Sequence, residues 1–445
     1  MKIFFSGIGG SGVSAIAGFM SDRGNQVSGS DRLFDRNPGH PLRELFLRKG
    51  IHITPQDGTG LDRSFDLAVF STAVESGNPD LVAAARLGIP IKTRPEYLAD
   101  IVAGFRTIAV AGTSGKSTTA GMLAFLMQRL GMEPNFIGGG RVKQFRTPDN
   151  SGNYLAGKSD LLVIEACESD GSIVHYRPAW SIIANLALDH HGVDETSAMF
   201  EALAGHTSGA VIAGADDENL GRCSLGNAVG YSIGRRSDYQ ATEISYAPFS
   251  TSFRVRGQEY ALNLPGRHNL YNALACIALL SEMRVRPEDI ASVLPLFEGI
   301  ERRFDVHLRN ARHLVIDDYA HNPHKIESLM QTMQGISNSV CYLFQPHGFG
   351  PTRMMRQGYI DVFTHNLREA DRLVLLPIFY AGGTAAKDIS SADIAGPVKA
   401  AGKDAEVLDR EDIFSSLGGH EAYVVLGARD DSLADFAERI AGALK

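Results

Sequence analysis

The chain is 445 residues long, with 44% hydrophobic and 21% charged residues and a formal net charge of −8. That balance belongs to a folded protein and not a disordered one, and the length exceeds what one core organises, so two or three domains are expected. The acidic surplus argues against nucleic acid or an anionic membrane as partner, since either would call for a basic face. The four cysteines, Cys167, Cys223, Cys276 and Cys341, form no C-x-x-C pair. Free thiols in a reducing compartment fit better than a zinc site or a disulfide framework. No apolar run approaches the roughly 18 residues of a membrane span, and the first residues read straight into a strand instead of a leader. A cytoplasmic location is the expectation.

In chain order, an apolar strand over Lys2–Ser6 turns through Gly7-Ile8-Gly9-Gly10-Ser11-Gly12 into a helix that stops before Gly24. A second strand, Gln26–Ser30, delivers Asp31, and further strands are expected at 67–71 and 89–92. The second segment opens with a strand at 107–111, another glycine loop and a helix to about Leu130, then strands at Leu161–Glu165 and 181–185. Residues 229–263 alternate as antiparallel strands do, and a long helix begins near His268. The third segment begins near Glu301, with strands at 313–318, 340–344, 372–376 and 423–426. Strands alternating with helices predict α/β domains whose parallel sheets are covered on both faces. The expected division is a Rossmann-like N-terminal domain at 1–104, a central P-loop ATPase domain at 105–300 and a C-terminal Rossmann-like α/β domain at 301–445.

The strongest chemical signal is Gly112-Thr113-Ser114-Gly115-Lys116-Ser117-Thr118, set between a strand and a helix. Glycines let backbone N–H groups turn in around phosphate oxygens, and a helix N-terminus adds partial positive charge. Lys116 is placed to pair with the β- and γ-phosphates of ATP, and the Ser117 hydroxyl to complete a Mg2+ shell. The strand Leu161–Glu165 ends in a carboxylate, as a metal ligand beside such a loop should. Glu168 and Asp170 follow closely, and carboxylates gathered at a strand's C-terminal end usually serve a cation. The next strand runs on to Asp189-His190-His191, which puts His190 at the expected metal or phosphate site.

The loop is the short form G-T-x-G-K-[ST], with Val110 where the general P-loop has glycine. With it come residues 165–170, the strand end at 185–190, Gly266-Arg267-His268-Asn269, Arg302-Arg303-Phe304, residues 317–323 and Phe344-Gln345-Pro346-His347. In order and spacing this set resembles the Mur ligases over nearly the whole chain. Residues 7–12, Ser28-Gly29-Ser30-Asp31 and Arg94-Pro95-Glu96-Tyr97-Leu98 resemble the branch that adds the first residue to UDP-N-acetylmuramate.

The resemblance implies roles residue by residue. Gly112, Thr113, Ser114, Gly115, Lys116, Ser117, Thr118, Asn269, Arg303 and Asp318 would meet ATP, and Ser117, Glu165 and His190 would serve Mg2+. Gly9, Gly10, Ser11, Gly12, Asp31 and Ser71 would hold the UDP-sugar. Tyr319, His321, His347 and Arg353 would hold the amino acid, and Lys116, His190, Arg303 and His321 would be the catalytic set. The implied reaction uses ATP to turn the carboxylate of a UDP-N-acetylmuramate-like sugar nucleotide into an acyl phosphate. The amine of an amino acid, expected to be L-alanine, then attacks. A monomer or weak dimer is expected.

Departures from the pattern carry information. Ser114 stands where the branch usually has histidine, Cys167 replaces an aspartate, Gly192 stands where aspartate is common, and Asn322 replaces a second histidine. No lysine lies between Lys158 and Lys325, so a carbamylated lysine bridging two metals cannot form. After His347 the L-alanine-adding branch continues R-Y-T-R-T-R, and two of those arginines clamp the amino acid's carboxylate. This chain reads Gly348-Phe349-Gly350-Pro351-Thr352-Arg353. Losing two bidentate donors predicts weaker use of L-alanine, another amino acid or a recycled peptide. Two rival classes are weighed. A dinucleotide oxidoreductase would explain residues 7–12 and Asp31, but a second phosphate loop with lysine is foreign to it. A non-catalytic nucleotide-binding relative would have no need of Lys116, Ser117, Glu165, His190 and Arg303 together.

Overall fold

The computed structural model describes residues 1–188, 191–380 and 386–445. Residues 1–246, 250–264 and 268–298 form one compact unit, and residues 247–249, 265–267 and 299–445 form a second. The division expected near residue 105 falls inside the first unit.

The first unit holds two sheets. The smaller runs His52–Thr54, Gln26–Ser30, Lys2–Ser6, Leu67–Phe70, Ile91–Thr93 in spatial order, all parallel. Its central strands are apolar at successive positions because both faces are covered. Ile3, Phe5 and Val69 pack into one core, and Phe4, Ala68 and Phe70 into another. The strand order reverses beside Lys2–Ser6, the switch point where α/β sheets place ligands. The glycine loop at 7–12 and Ser71 both emerge there.

The second sheet has ten strands, with Arg106–Ala111 near its centre between Trp180–Ile183 and Leu161–Glu165, both parallel to it. The helix Lys116–Arg129 is buried from Thr118 to Met127. The strand expected at 181–185 leaves the ladder after Ile183, because Asn185 turns away to bind the phosphate loop. The alternation over 229–263 also reads differently in three dimensions. Ser250–Val255 and Gln258–Leu262 form an antiparallel pair as expected, whereas Val229–Ser232 and Tyr239–Ala247 pair in parallel. A period of two reports a strand with unlike faces, not the direction of its neighbour.

The second unit is built on a six-stranded sheet ordered Asp305–Arg309, Leu314–Asp318, Ala422–Gly427, Val340–Gln345, Arg372–Leu375, Ala405–Val407. The first pair is antiparallel and the rest parallel. Ile316, Tyr342 and Phe344 fill the core on one face, while Val315, Leu343 and Val425 fill the other. The parallel strands' carboxyl ends carry Asp318, His347 and the turn after Gly427. Among the described residues no helix is long and apolar enough to cross a membrane.

Candidate active site

The loop at 112–117 joins the strand Arg106–Ala111 to the helix Lys116–Arg129. Two of its glycines accept no substitute. Gly112 has φ +135°, and a Cβ there would sit 3.0 Å from the Cβ of Ala184. Gly115 has φ +82°, and its Cβ would meet Asn272 Oδ1 at 2.6 Å. The left-handed region and the close approach both demand glycine.

Polar side chains pin the loop from two sides. Thr113 Oγ1 and Ser114 N donate to Asn185 Oδ1 at 2.9 and 2.8 Å, and Asn185 Nδ2 donates to Ser114 O at 2.9 Å. Behind the helix, Thr119 Oγ1 donates to Asn272 Oδ1 at 3.0 Å, and Asn272 Nδ2 to Asn269 Oδ1 at 3.3 Å. Thr118 lies buried in the first helical turn.

Lys116 Nζ donates to Gly112 O at 2.6 Å and reaches Glu168 Oε1 at 3.1 Å and Oε2 at 2.9 Å. Burial pulls the ammonium's pKa down, but Glu168, Cys167 and Glu165 outweigh it and hold the lysine above its ordinary value. Ser117 Oγ donates to Glu165 Oε1 at 2.8 Å, and Gly139 N to Glu165 Oε2 at 2.9 Å. Burial pushes the Cys167 thiol up, with Lys116 opposing, so it stays protonated at neutral pH. A glycine cradle, a helix N-terminus, an ammonium and a hydroxyl–carboxylate pair fit a nucleotide triphosphate with its cation. Among the described residues no three of His, Cys, Asp and Glu gather into a metal nest. Ser117 and Glu165 could supply part of a cation's shell, and the expected third member, His190, lies outside the described residues.

The first glycine loop is tied to this centre. Gly9 N donates to Asp31 Oδ2 at 2.8 Å, and Asp31 Oδ1 accepts from Leu33 N at 2.9 Å, capping the helix Arg32–Arg36. Asp31 therefore holds the loop's shape. Gly10 is the N-cap of the helix Ser11–Asp22, which Gly12 continues. A Cβ on Gly7 would meet the Cβ of Ser71 at 2.9 Å. Asn153 Nδ2 donates to Ser11 O at 2.9 Å and Ser14 Oγ at 3.0 Å. Arg94 lies against Gly12 and forms an ion pair with Asp170. One acidic stretch thus holds Lys116 through Glu168 and Arg94 through Asp170.

In the second unit, neighbouring arginines do different things. Arg302 is buried, with Nε 3.0 Å from Asp317 Oδ2, Nη1 donating to Asp430 O at 3.0 Å and Nη2 to Gly427 O at 2.9 Å. Burial lifts Asp317 to about 6, although Arg302 opposes it. Arg303 instead lies over the Tyr319 ring, 4.8 Å from its centroid. Asp318 accepts from Phe304 N and Ala320 N, both at 2.7 Å, so it shapes the turn. The rings of Tyr319 and His321 lie 5.5 Å apart, and those of His321 and His347 5.4 Å. Burial lowers His321 to about 3 and His347 to about 4, so both imidazoles are neutral at pH 7. Arg353 is paired with Asp388 and donates to Ala386 O at 3.2 Å.

Glu168 and Asp170, expected to serve a cation, instead pair with Lys116 and Arg94, while motif spacing gives no role to Asn185 or Asn153, because each acts through a partner distant in sequence. Asn272 had a usable signal: it lies three residues after Asn269 on one helix face.

Three comparisons bear on this arrangement. Family models described as Mur ligase family catalytic domain, Mur ligase middle domain and Mur ligase glutamate ligase domain match residues 2–106, 110–280 and 302–443. The UDP-N-acetylmuramate–L-alanine ligase of Solibacter usitatus is 32% identical, over 85% of this chain and 81% of its own length. The enzyme of the same name from Paenarthrobacter aurescens is 35% identical, over 85% and 84%. Among solved structures, the UDP-N-acetylmuramate-alanine ligase of Thermotoga maritima superposes with a TM-score of 0.84 at 26% identity, covering 100% of this chain and 99% of that one. A murein peptide ligase from Psychrobacter arcticus shares the fold, with a TM-score of 0.71 at 22% identity over 100% and 98% of the two chains. With three successive models matched and relatives above 30% identity aligned over most of both lengths, the chain is a three-domain α/β protein that belongs to the Mur ligase family.

Proposed function

We propose that the chain is an ATP-dependent ligase that joins L-alanine to the carboxylate of UDP-N-acetylmuramate in the synthesis of peptidoglycan precursors. The observation that carries this reading is Lys116 poised between Gly112 O and Glu168 beside the Ser117–Glu165 pair, in a chain similar throughout its length to enzymes of that name.

A carboxylate is a poor electrophile and must first be converted to an acyl phosphate. Lys116 supplies positive charge where the β- and γ-phosphates lie, and their oxygens replace the Gly112 carbonyl as its partner. Mg2+, when bound, would draw on Ser117, Glu165 and His190 and offset charge on the transferring group. Arg303 has a guanidinium whose only described contact is the Tyr319 face, and it would steady the phosphoryl group. The first glycine loop would take the sugar nucleotide's diphosphate at the start of the helix Ser11–Asp22. The amine attacks the acyl carbon, and the tetrahedral intermediate expels phosphate. His321 and His347 are too weakly basic to store a proton, so they would orient the amine as hydrogen-bond acceptors.

Phosphate release from ATP should require UDP-N-acetylmuramate and L-alanine together. It should be indifferent to bicarbonate, because no lysine is placed for carbamylation. A coupled phosphate assay in bicarbonate-free buffer checks both. Release without the sugar nucleotide, or activity that returns only with bicarbonate, would refute this description of the site.

A further inference from the structure

The segment after His347 leaves the amino acid's carboxylate without its expected partners. Gly348 and Pro351 carry no donor side chain, and Arg353 is already engaged by Asp388 and Ala386 O. Arg302 is sealed against Asp317. We propose that Arg429 holds the carboxylate of the incoming amino acid and sets the preference for a free amino acid. The inference rests on the ligase reading above.

Arg429 follows the strand Ala422–Gly427 at the carboxyl edge of the second unit's sheet. It is exposed between buried Ala428 and Asp430 and adopts φ +66°. A side chain in the left-handed region is strained, and glycine would relieve it. The arginine is therefore kept at a cost to the fold. Arg302 and Phe304 also take positive φ at the same edge, a concentration typical of a site whose geometry is over-determined.

Its surroundings fit the role. Arg429 N donates to Tyr319 Oη at 3.3 Å, and Tyr319 leads by ring contact to His321 and then His347. The charge of Arg429 bears on His347, and those of Lys325 and Arg303 on His321. With both rings neutral, the cluster offers cations for a carboxylate and unprotonated nitrogens for an amine. A guanidinium fork matches a carboxylate with two parallel hydrogen bonds, which an ammonium cannot do. No ion pair of Arg429 with an acid occurs among the described residues.

The test is steady-state kinetics of the full chain carrying Arg429→Gly, with Arg429→Lys beside it. Glycine suits φ +66°, so Arg429→Gly should fold at least as well as wild type. Its KM for L-alanine should rise about ten- to a hundredfold, with kcat and the KM for ATP and UDP-N-acetylmuramate within about twofold. Arg429→Lys should fall between. Wild type should strongly prefer L-alanine over L-alaninamide, which lacks the carboxylate, and Arg429→Gly should lose most of that preference. An unchanged KM for L-alanine, or an unchanged preference over the amide, overturns the assignment while leaving the ligase intact. A wild type that uses no free amino acid overturns the reading of an L-alanine-adding ligase on which the assignment rests.

Discussion

Replacing Lys116 with alanine should lower turnover by on the order of 10³-fold while leaving affinity for UDP-N-acetylmuramate nearly unchanged. The lysine is the ammonium that hydrogen-bonds into the cradle formed by Gly112 and Gly115, whereas the sugar nucleotide is assigned to the loop at 7–12. The change also has a structural cost. Glu168 is 1% exposed and the Lys116 side chain 11%, and removing one partner of a buried pair costs about 3–5 kcal/mol. Glu168→Gln in the same chain should recover much of that stability by discharging the orphaned carboxylate. It should recover none of the turnover. Calorimetry with UDP-N-acetylmuramate separates the two effects: a large loss of sugar-nucleotide affinity in the stabilised double variant would contradict the division of labour between the two loops.

Arg302→Ala and Arg303→Ala should diverge despite adjoining positions. Arg302 is about 10% exposed against a fully buried Asp317 and bonds two backbone carbonyls, so its loss should destabilise the second unit by about 3–5 kcal/mol. Among the described residues the Arg303 guanidinium lies across the Tyr319 ring, with no ion pair to an acid. Its loss should leave the fold intact and lower kcat by about 10²- to 10³-fold if it steadies the transferring phosphoryl group. Circular-dichroism melts with kinetics distinguish them. The single tryptophan, Trp180, belongs to the first unit, so its fluorescence is the wrong reporter for a second-unit melt. Equal loss of stability in both variants would remove the assignment of Arg303 to chemistry.

Much of the fold is legible in the chain because two-sided burial writes a simple pattern. Lys2–Ser6 and Leu161–Glu165 are short apolar runs ended by turn or acidic residues, and they form as read, as does Gln26–Ser30, whose small residues are buried. Strand ends are less legible. Trp180–Ile183 stops two residues before the expected end, where the Asn185 backbone carbonyl accepts from Thr113 N in the phosphate loop at 3.1 Å. The direction of Val229–Ser232 was illegible because alternation carries no direction.

The phosphate loop is legible for a related reason: glycine, lysine and serine must be consecutive to make it. The residues that hold it are not so constrained. Thr119 meets Asn272 across 153 positions, and Lys116 meets Glu168 across 52, which no local spacing encodes. Nor does the sequence tell which of Arg302 and Arg303 points inward. That depends on the left-handed backbone at Arg302 and on the depth at which Asp317 lies.

The central claim is activation of the sugar nucleotide's carboxylate by phosphoryl transfer, and isotope transfer tests it most directly. UDP-N-acetylmuramate labelled with ¹⁸O in its carboxylate would be turned over with ATP and L-alanine, and the products read by mass spectrometry. One labelled oxygen per turnover should appear in inorganic phosphate, because the acyl phosphate breaks between its carbonyl carbon and the bridging oxygen. Unlabelled phosphate, or label in AMP, would contradict the acyl-phosphate route.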